Sequence, residues 1–270
     1  MKYCRFLLDD QVHYGLVEDR SAEPWIVAPA PIPEEDLRCL LAARDKAPAS
    51  FPPMPLSAAQ LLAPVTPSKM VCVGRNYRDH VKELGNELPT EPLLFFKPPS
   101  SLLAPGGIVR LPHQSERVDF EGELALVIGK RIRKLSPNDD WRQFVRGFTL
   151  ADDVSARDLQ KKDVQWTRAK GFDTFCPVGP VVSDEIDPTT GVTLETRING
   201  ELRQSASTVD FIFPIPELLR FISAAITLEP GDLVLTGTPA GVGPLQAGDK
   251  VEISISGLGL LAHTVAAGQS

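Results

Sequence analysis

Short apolar runs, cut apart by glycines, prolines and acidic turns, set the rhythm of this chain. Residues 2–8 (KYCRFLL) and 12–18 (VHYGLVE) are β-prone runs joined by Asp9, Asp10 and Gln11, a hairpin pattern, and the apolar run Trp25–Ala28 is placed to pair with it. Pro33 to Asp36 then precede Leu37, Leu40 and Leu41, an acidic opening with an apolar stripe that predicts a helix ending near Lys46. Residues 47–67 hold six prolines, which break helices and donate nothing to a ladder, so this stretch reads as a connection. Beyond it, strands are predicted at Met70–Gly74, Leu93–Lys97, Val118–Gly129 and Phe144–Asp152, and helices at Arg75–Leu84 and Ser155–Asp163, the latter capped by Asp153 or Ser155. Residues 165–177 show no clear period. Asn199-Gly200 marks a hairpin, Ile215–Ala225 has helical spacing, Leu233–Pro239 is a strand running into a turn, and a last hairpin closes through Ser256 and Gly257.

Many short strands with few helices predict an α+β, mainly β protein rather than a doubly wound one. The division expected is a small N-terminal α/β segment, residues 1–66, ending in the proline-rich linker, and a larger unit, residues 67–270. With 43% hydrophobic and 23% charged residues the composition is that of an ordinary globular protein, and a net charge of −7 argues against nucleic acid or an anionic membrane as partner. No apolar run has the length of a signal peptide or a membrane span, so a cytoplasmic location is expected. The four cysteines, at 4, 39, 72 and 176, have neither disulfide-scaffold nor zinc spacing and read as small buried hydrophobes.

The candidate chemistry begins in VDFEGELALVIG, residues 118–129. On a strand, Glu121 and Glu123 share a face roughly 6.5–7 Å apart, where two charges repel by about 2 kcal/mol at an effective dielectric near 20. Two arrangements satisfy these residues: a solvated polar face on an edge strand, or a cation between the carboxylates. If the strand end carrying Asp152 lies alongside, three carboxylates with no histidine or thiolate converge, a set that selects Mg²⁺, Mn²⁺ or Ca²⁺ over zinc or copper. His80 and Glu83, three apart on a helix, share a face on which their side chains can meet, and read as a surface ion pair. Lys170 lies among Trp166, Phe172 and Phe175, company expected to desolvate its ammonium and lower its pKa.

The segments GRNYRDHVKEL, LLFFKPPSS, VDFEGELALVIGK, ADDVSARDLQ, QWTRAKGFDTFCPVGP and LVLTGTPAGVG resemble, in order and spacing from about Val71 to Gly243, the motifs of the fumarylacetoacetate hydrolase family. The resemblance implies a mixed β-roll in residues 67–270, usually dimeric, acting on small oxo acids through an enolate held by a divalent metal, Mg²⁺ or Mn²⁺. It implies Glu121, Glu123 and Asp152 as metal ligands, His80 and Glu83 as a water-activating dyad, and Lys170 facing the substrate oxygens. Arg75, Gln165, Gly237 and Thr238 fall where the family contacts substrate. The reaction expected is hydrolysis of a carbon–carbon bond in an acylpyruvate-like diketo acid. Decarboxylation of oxaloacetate-like acids and isomerisation of unsaturated dioic acids in aromatic catabolism are the alternatives. A catalytically inert small-acid binding protein is expected to have lost a ligand or the lysine, and this chain keeps them. The distal part of the substrate would be read by loops such as Asn86–Pro92 and Thr167–Phe175.

Overall fold

A computed structural model describes residues 1–20, 23–44, 46 and 49–268. The strand Gly122–Ile128 sits inside the largest sheet, between Val145–Asp152 and Leu233–Leu235, antiparallel to both. Outward from Leu233–Leu235 come Met70–Gly74, its parallel neighbour, and Leu93–Lys97. Outward from Val145–Asp152 come Cys176–Ser183 and then Lys2–Leu8, Gln11–Arg20 and Glu23–Pro29. A second sheet of five strands, in the order Glu201–Ser207, Thr193–Ile198, Lys250–Ile255, Gly259–Ala267 and Ile108–Leu111, packs on one face of the first.

Alternation explains why Gly122–Ile128 is apolar almost throughout. Leu124, Leu126 and Ile128 point to the second sheet, where they pack with Leu150, Leu194, Ile253 and Leu261. Ala125 and Val127 point the other way, to Val178, Leu235 and Tyr3. A strand covered on both faces has no solvated side, and each large aliphatic side chain buried there contributes about 1.5–3 kcal/mol.

The N-terminal residues are built into this sheet. Lys2–Leu8 pairs with Cys176–Ser183, and Asp9-Asp10 turn the first hairpin with both residues left-handed, φ 49° and 57°. The proline-rich stretch is more than a connection: Gln60–Leu62 pairs with Lys2–Leu8, and Met54–Pro55 with Trp25 and Ile26. The first helix is Leu37–Ala43, shorter than expected, and its acidic opening serves it only in part. Asp36 is the N-cap, accepting from Cys39 N, and Glu35 pairs with Arg146 of the larger unit. The second helix begins at Arg78 rather than Arg75, because Arg75 takes a left-handed φ of 59°. The helix Arg157–Lys162 has Ala156 at its N-cap, so neither Asp153 nor Ser155 caps it. The Asn199-Gly200 and closing hairpins form as the turn chemistry predicts.

Candidate active site

Glu121 sits at the break between the strands Val118–Phe120 and Gly122–Ile128, and Glu123 two residues on; both are buried, at 4% and 2% exposure, which rules out the solvated edge. The carboxylate that joins them is Asp153. One oxygen from each of Glu121, Glu123 and Asp153 lies within 4.8 Å of the others. Asp152, the residue expected there, points away, and the register says why. It pairs with Gly122, and cross-strand partners share a face, opposite to that of Glu121 and Glu123. That face meets the second sheet: a Cβ on Gly122 would lie 2.1 Å from Thr196 Oγ1. Asp153, one residue beyond the strand end, falls on the glutamate side.

Buried cations surround this cluster. Lys170 donates to Glu121 Oε2 at 2.7 Å and to Asp153 Oδ2 at 2.6 Å. Arg157 spans Asp119 and Glu121, donating to Asp119 Oδ2 at 2.9 Å. Lys97 Nζ lies 2.7 Å from Asp153 Oδ1 and donates its hydrogen bond to Val154 O. Burial alone would raise the Glu121 carboxyl, but Arg157 and Lys170 outweigh it and hold it well below the usual range. Among the described residues, Glu123 has no such cation at hydrogen-bond distance. Burial, reinforced by Asp153 and Glu121, pushes its carboxyl well above the usual range, and Gly237 N, at 2.7 Å, is the donor it receives. Lys170 departs from expectation. Desolvation does act to lower it, but the charges of Asp153 and Glu121 prevail and raise it, so it is a fixed ammonium rather than a neutral amine.

Glu121, Glu123, Asp153, Arg157 and Lys170 line a cavity of about 410 Å³, a size suited to a small organic acid. His80, buried at 4% exposure, lines it as well. Its Nδ1 is 3.1 Å from Glu83 Oε2, and Glu83 Oε1 accepts from Gly241 N at 3.0 Å, so the pair is a tethered dyad rather than a surface ion pair. With Nδ1 turned to a carboxylate, Nε2 is the nitrogen left to act as a base. Arg75 and Thr238 line the cavity too. The Thr238 hydroxyl is already engaged, donating to Gly122 O at 2.9 Å and accepting from Gln204 Nε2 at 2.7 Å. Gly237 acts on Glu123, and its φ of 99° with Asn76 Cβ 2.7 Å from a would-be Cβ requires glycine there. Gln165 is exposed and outside the cavity lining, because the helix Thr167–Gly171 is entered through Trp166, which packs on Phe95 at 5.4 Å between centroids; Gln160 lines the cavity instead.

Sequence reasoning gave no site role to Asp153, which it read as a helix cap, nor to Lys97, Arg157 and Asp119. Lys97 and Arg157 stood inside segments already singled out, LLFFK and SARD, but a cation needed by a buried acid is visible only once the acid is known to be buried. The four thiols are free and buried, and desolvation pushes Cys4 and Cys176 up to about 12, far from nucleophilic use.

The sequence model described as fumarylacetoacetate (FAA) hydrolase C-terminal matches residues 69–266. The chain belongs to the fumarylacetoacetate hydrolase family. A second model, Rv2993c-like N-terminal, matches residues 1–64. Among relatives of this family member, Protein Rv2993c of Mycobacterium tuberculosis is 48% identical over 213 residues, covering 78% of this chain and 80% of that one. Oxaloacetate tautomerase YisK of Bacillus subtilis is 43% identical over 224 residues, 78% of this chain and 74% of that one. The solved structure of 2-hydroxyhepta-2,4-diene-1,7-dioate isomerase from Mycobacterium marinum superimposes with a TM-score of 0.85 at 38% identity, covering 100% of each chain. The family's fold is thus present, and Glu121, Glu123 and Asp153 could hold a metal ion. No helix among the described residues is long and apolar enough to cross a membrane.

Proposed function

We propose that this protein moves a proton between the carbon beside a keto group and the keto oxygen of a small 2-oxo dicarboxylic acid, as in keto–enol tautomerisation of oxaloacetate, with Mg²⁺ or Mn²⁺ held by Glu121, Glu123 and Asp153. The donor set fits such an ion: three buried carboxylates, all oxygen, one of them, Glu123, lacking a cation at hydrogen-bond distance among the described residues. When bound, a hard divalent ion supplies Lewis-acid polarisation of the 2-oxo group.

The observation that carries the reading is that a fixed ammonium and a dyad-held imidazole line one cavity with the three acids. Lys170, kept charged by Glu121 and Asp153, offers positive charge where it develops negatively on the substrate's oxygen. His80, oriented through Nδ1 by Glu83, presents Nε2 to accept the proton from carbon and return it. Phe95 and Trp166 form an apolar wall that limits water. The oxaloacetate tautomerase and dioate isomerase relatives support a proton-transfer reaction.

Hydrolysis of an acylpyruvate-like acid is the second reading, favoured by the same His80–Glu83 dyad, which would then take a proton from water. Purified protein with Mg²⁺ or Mn²⁺ is expected to speed the decay of enol-oxaloacetate absorbance at least 100-fold over buffer, and excess chelator to abolish the effect. Full activity in chelator would sink the metal reading. Acylpyruvate cleavage without tautomerisation would replace the first reaction by the second.

A further inference from the structure

We propose that His263 and Asp152 are a buried positioning pair that fixes the direction in which Glu121 enters the cavity. Neither lines the cavity, and both are buried. His263 stands on the strand Gly259–Ala267 of the second sheet, and its Nε2 lies 2.7 Å from Asp152 Oδ2. The other oxygen of Asp152, Oδ1, accepts from the main-chain N of Glu121 at 2.8 Å. These are the two hydrogen bonds that the Asp152 carboxylate receives among the described residues. On the far side of the same residue, Glu121 O accepts from Asp153 N at 2.9 Å.

Glu121 is the residue at which strand pairing lapses between Phe120 and Gly122, so ladder hydrogen bonds do not set its backbone. Asp152 on one side and Asp153 N on the other replace them. The histidine is not explained by packing. Its Nδ1 is buried with no hydrogen-bond partner among the described residues, a cost that an apolar side chain filling the same space between the sheets would avoid. What the imidazole provides is a donor to a carboxylate that is otherwise held by one peptide N–H. Held by both, Asp152 cannot turn away from Glu121, and the second sheet thereby bears on the geometry of Glu121 through Asp152. The residues act through Glu121, as hydrogen-bond partners of metal ligands do.

The metal-affinity part of this proposal rests on Glu121 being a ligand; the backbone part does not, and the test separates them. Amide hydrogen exchange of Glu121 and of Leu126, on the same strand, is to be measured by NMR in metal-free protein, alongside calorimetric titration with Mn²⁺. His263→Leu is expected to speed Glu121 exchange at least 10-fold while leaving Leu126 within threefold, and to weaken Mn²⁺ binding 10- to 100-fold. His263→Gln, whose amide reaches about as far as Nε2, is expected to restore both to within threefold of the unaltered protein. Unchanged Glu121 protection in His263→Leu would overturn the pair's role. Equal acceleration at Glu121 and Leu126 would do so too, since it marks general loosening. If His263→Leu does not fold, His263→Asn, polar but too short to reach Asp152, takes its place with the same expectations and the same overturning results. An unaltered protein that binds no Mn²⁺ would refute the metal site, while the exchange result still decides the positioning role.

Discussion

Two buried acids in this molecule, Asp232 and Glu123, are both essentially inaccessible, yet their surroundings are opposite. Asp232 is saturated: its Oδ1 accepts from Ser68 N, Ser68 Oγ and Lys69 N at 3.1, 2.7 and 3.0 Å, and its Oδ2 from Glu229 N at 2.8 Å and from the Lys69 ammonium. It ties the start of Met70–Gly74 to the turn before Leu233–Leu235 and has no unused capacity. Glu123 accepts one peptide N–H and faces two other acids across a cavity. A buried carboxylate that is fully bonded is part of the frame. One left short of donors beside like charges could hold a cation, and burial by itself does not distinguish the two.

The sharpest way to test this contrast is Glu123→Gln. The amide keeps an acceptor for Gly237 N and removes a charge, so Mn²⁺ affinity is expected to fall at least 100-fold and turnover to disappear, while the metal-free melting temperature rises by a few degrees; calorimetry and a thermal melt read the two effects. A fall in metal-free stability would place Glu123 with the structural acids. Next in size, His80→Ala is expected to lower turnover by roughly 10²- to 10⁴-fold with Mn²⁺ affinity unchanged, as removal of a general base does. Asp232→Ala should behave in the opposite manner to Glu123→Gln. Stripping a buried acid from its ion pair and donors costs about 3–5 kcal/mol, at least 6 °C of melting temperature on the usual scale of about 2–4 °C per kcal/mol, with Mn²⁺ affinity of the folded fraction preserved.

A smaller effect appears in the pH dependence. Because burial, Asp153 and Glu121 raise the Glu123 carboxyl in the folded state, its contribution to metal-free stability is present below the ordinary glutamate range, near pH 4.3, and is lost as pH rises through the elevated folded value. Glu121 has the opposite sign, its stabilisation being lost as pH falls below that range. The difference in melting temperature between Glu123→Gln and the unaltered protein should therefore widen as pH rises, and Mg²⁺ should close it. The smallest effect expected is for Gln165→Ala, less than twofold on turnover, since that side chain is exposed and outside the cavity lining.

Much of this was legible in the sequence. Alternation and turn chemistry are local, so the hairpins at Asp9-Asp10 and Asn199-Gly200, the apolar strands and the mainly β class could be read without a fold. The helix spacing that joins His80 to Glu83 and the strand spacing that puts Glu121 and Glu123 on one face were likewise fixed by elementary geometry. Asp152 and Asp153 show where such reading stops. Adjacent acids at a strand end are equivalent in sequence, and only pairing of Asp152 with Gly122 turns one toward the second sheet and the other into the cavity. Lys170 is the same lesson in energy. Its aromatic neighbours implied a lowered pKa, but two carboxylates brought from positions 49 and 17 residues away raise it instead, because Coulomb attraction depends on distances that close only when the sheets assemble. By itself the sequence determined periods, turns and the chemical kinds of groups available; tertiary structure alone decided which acids meet, which are neutralised and which lacks a cation at hydrogen-bond distance among the described residues.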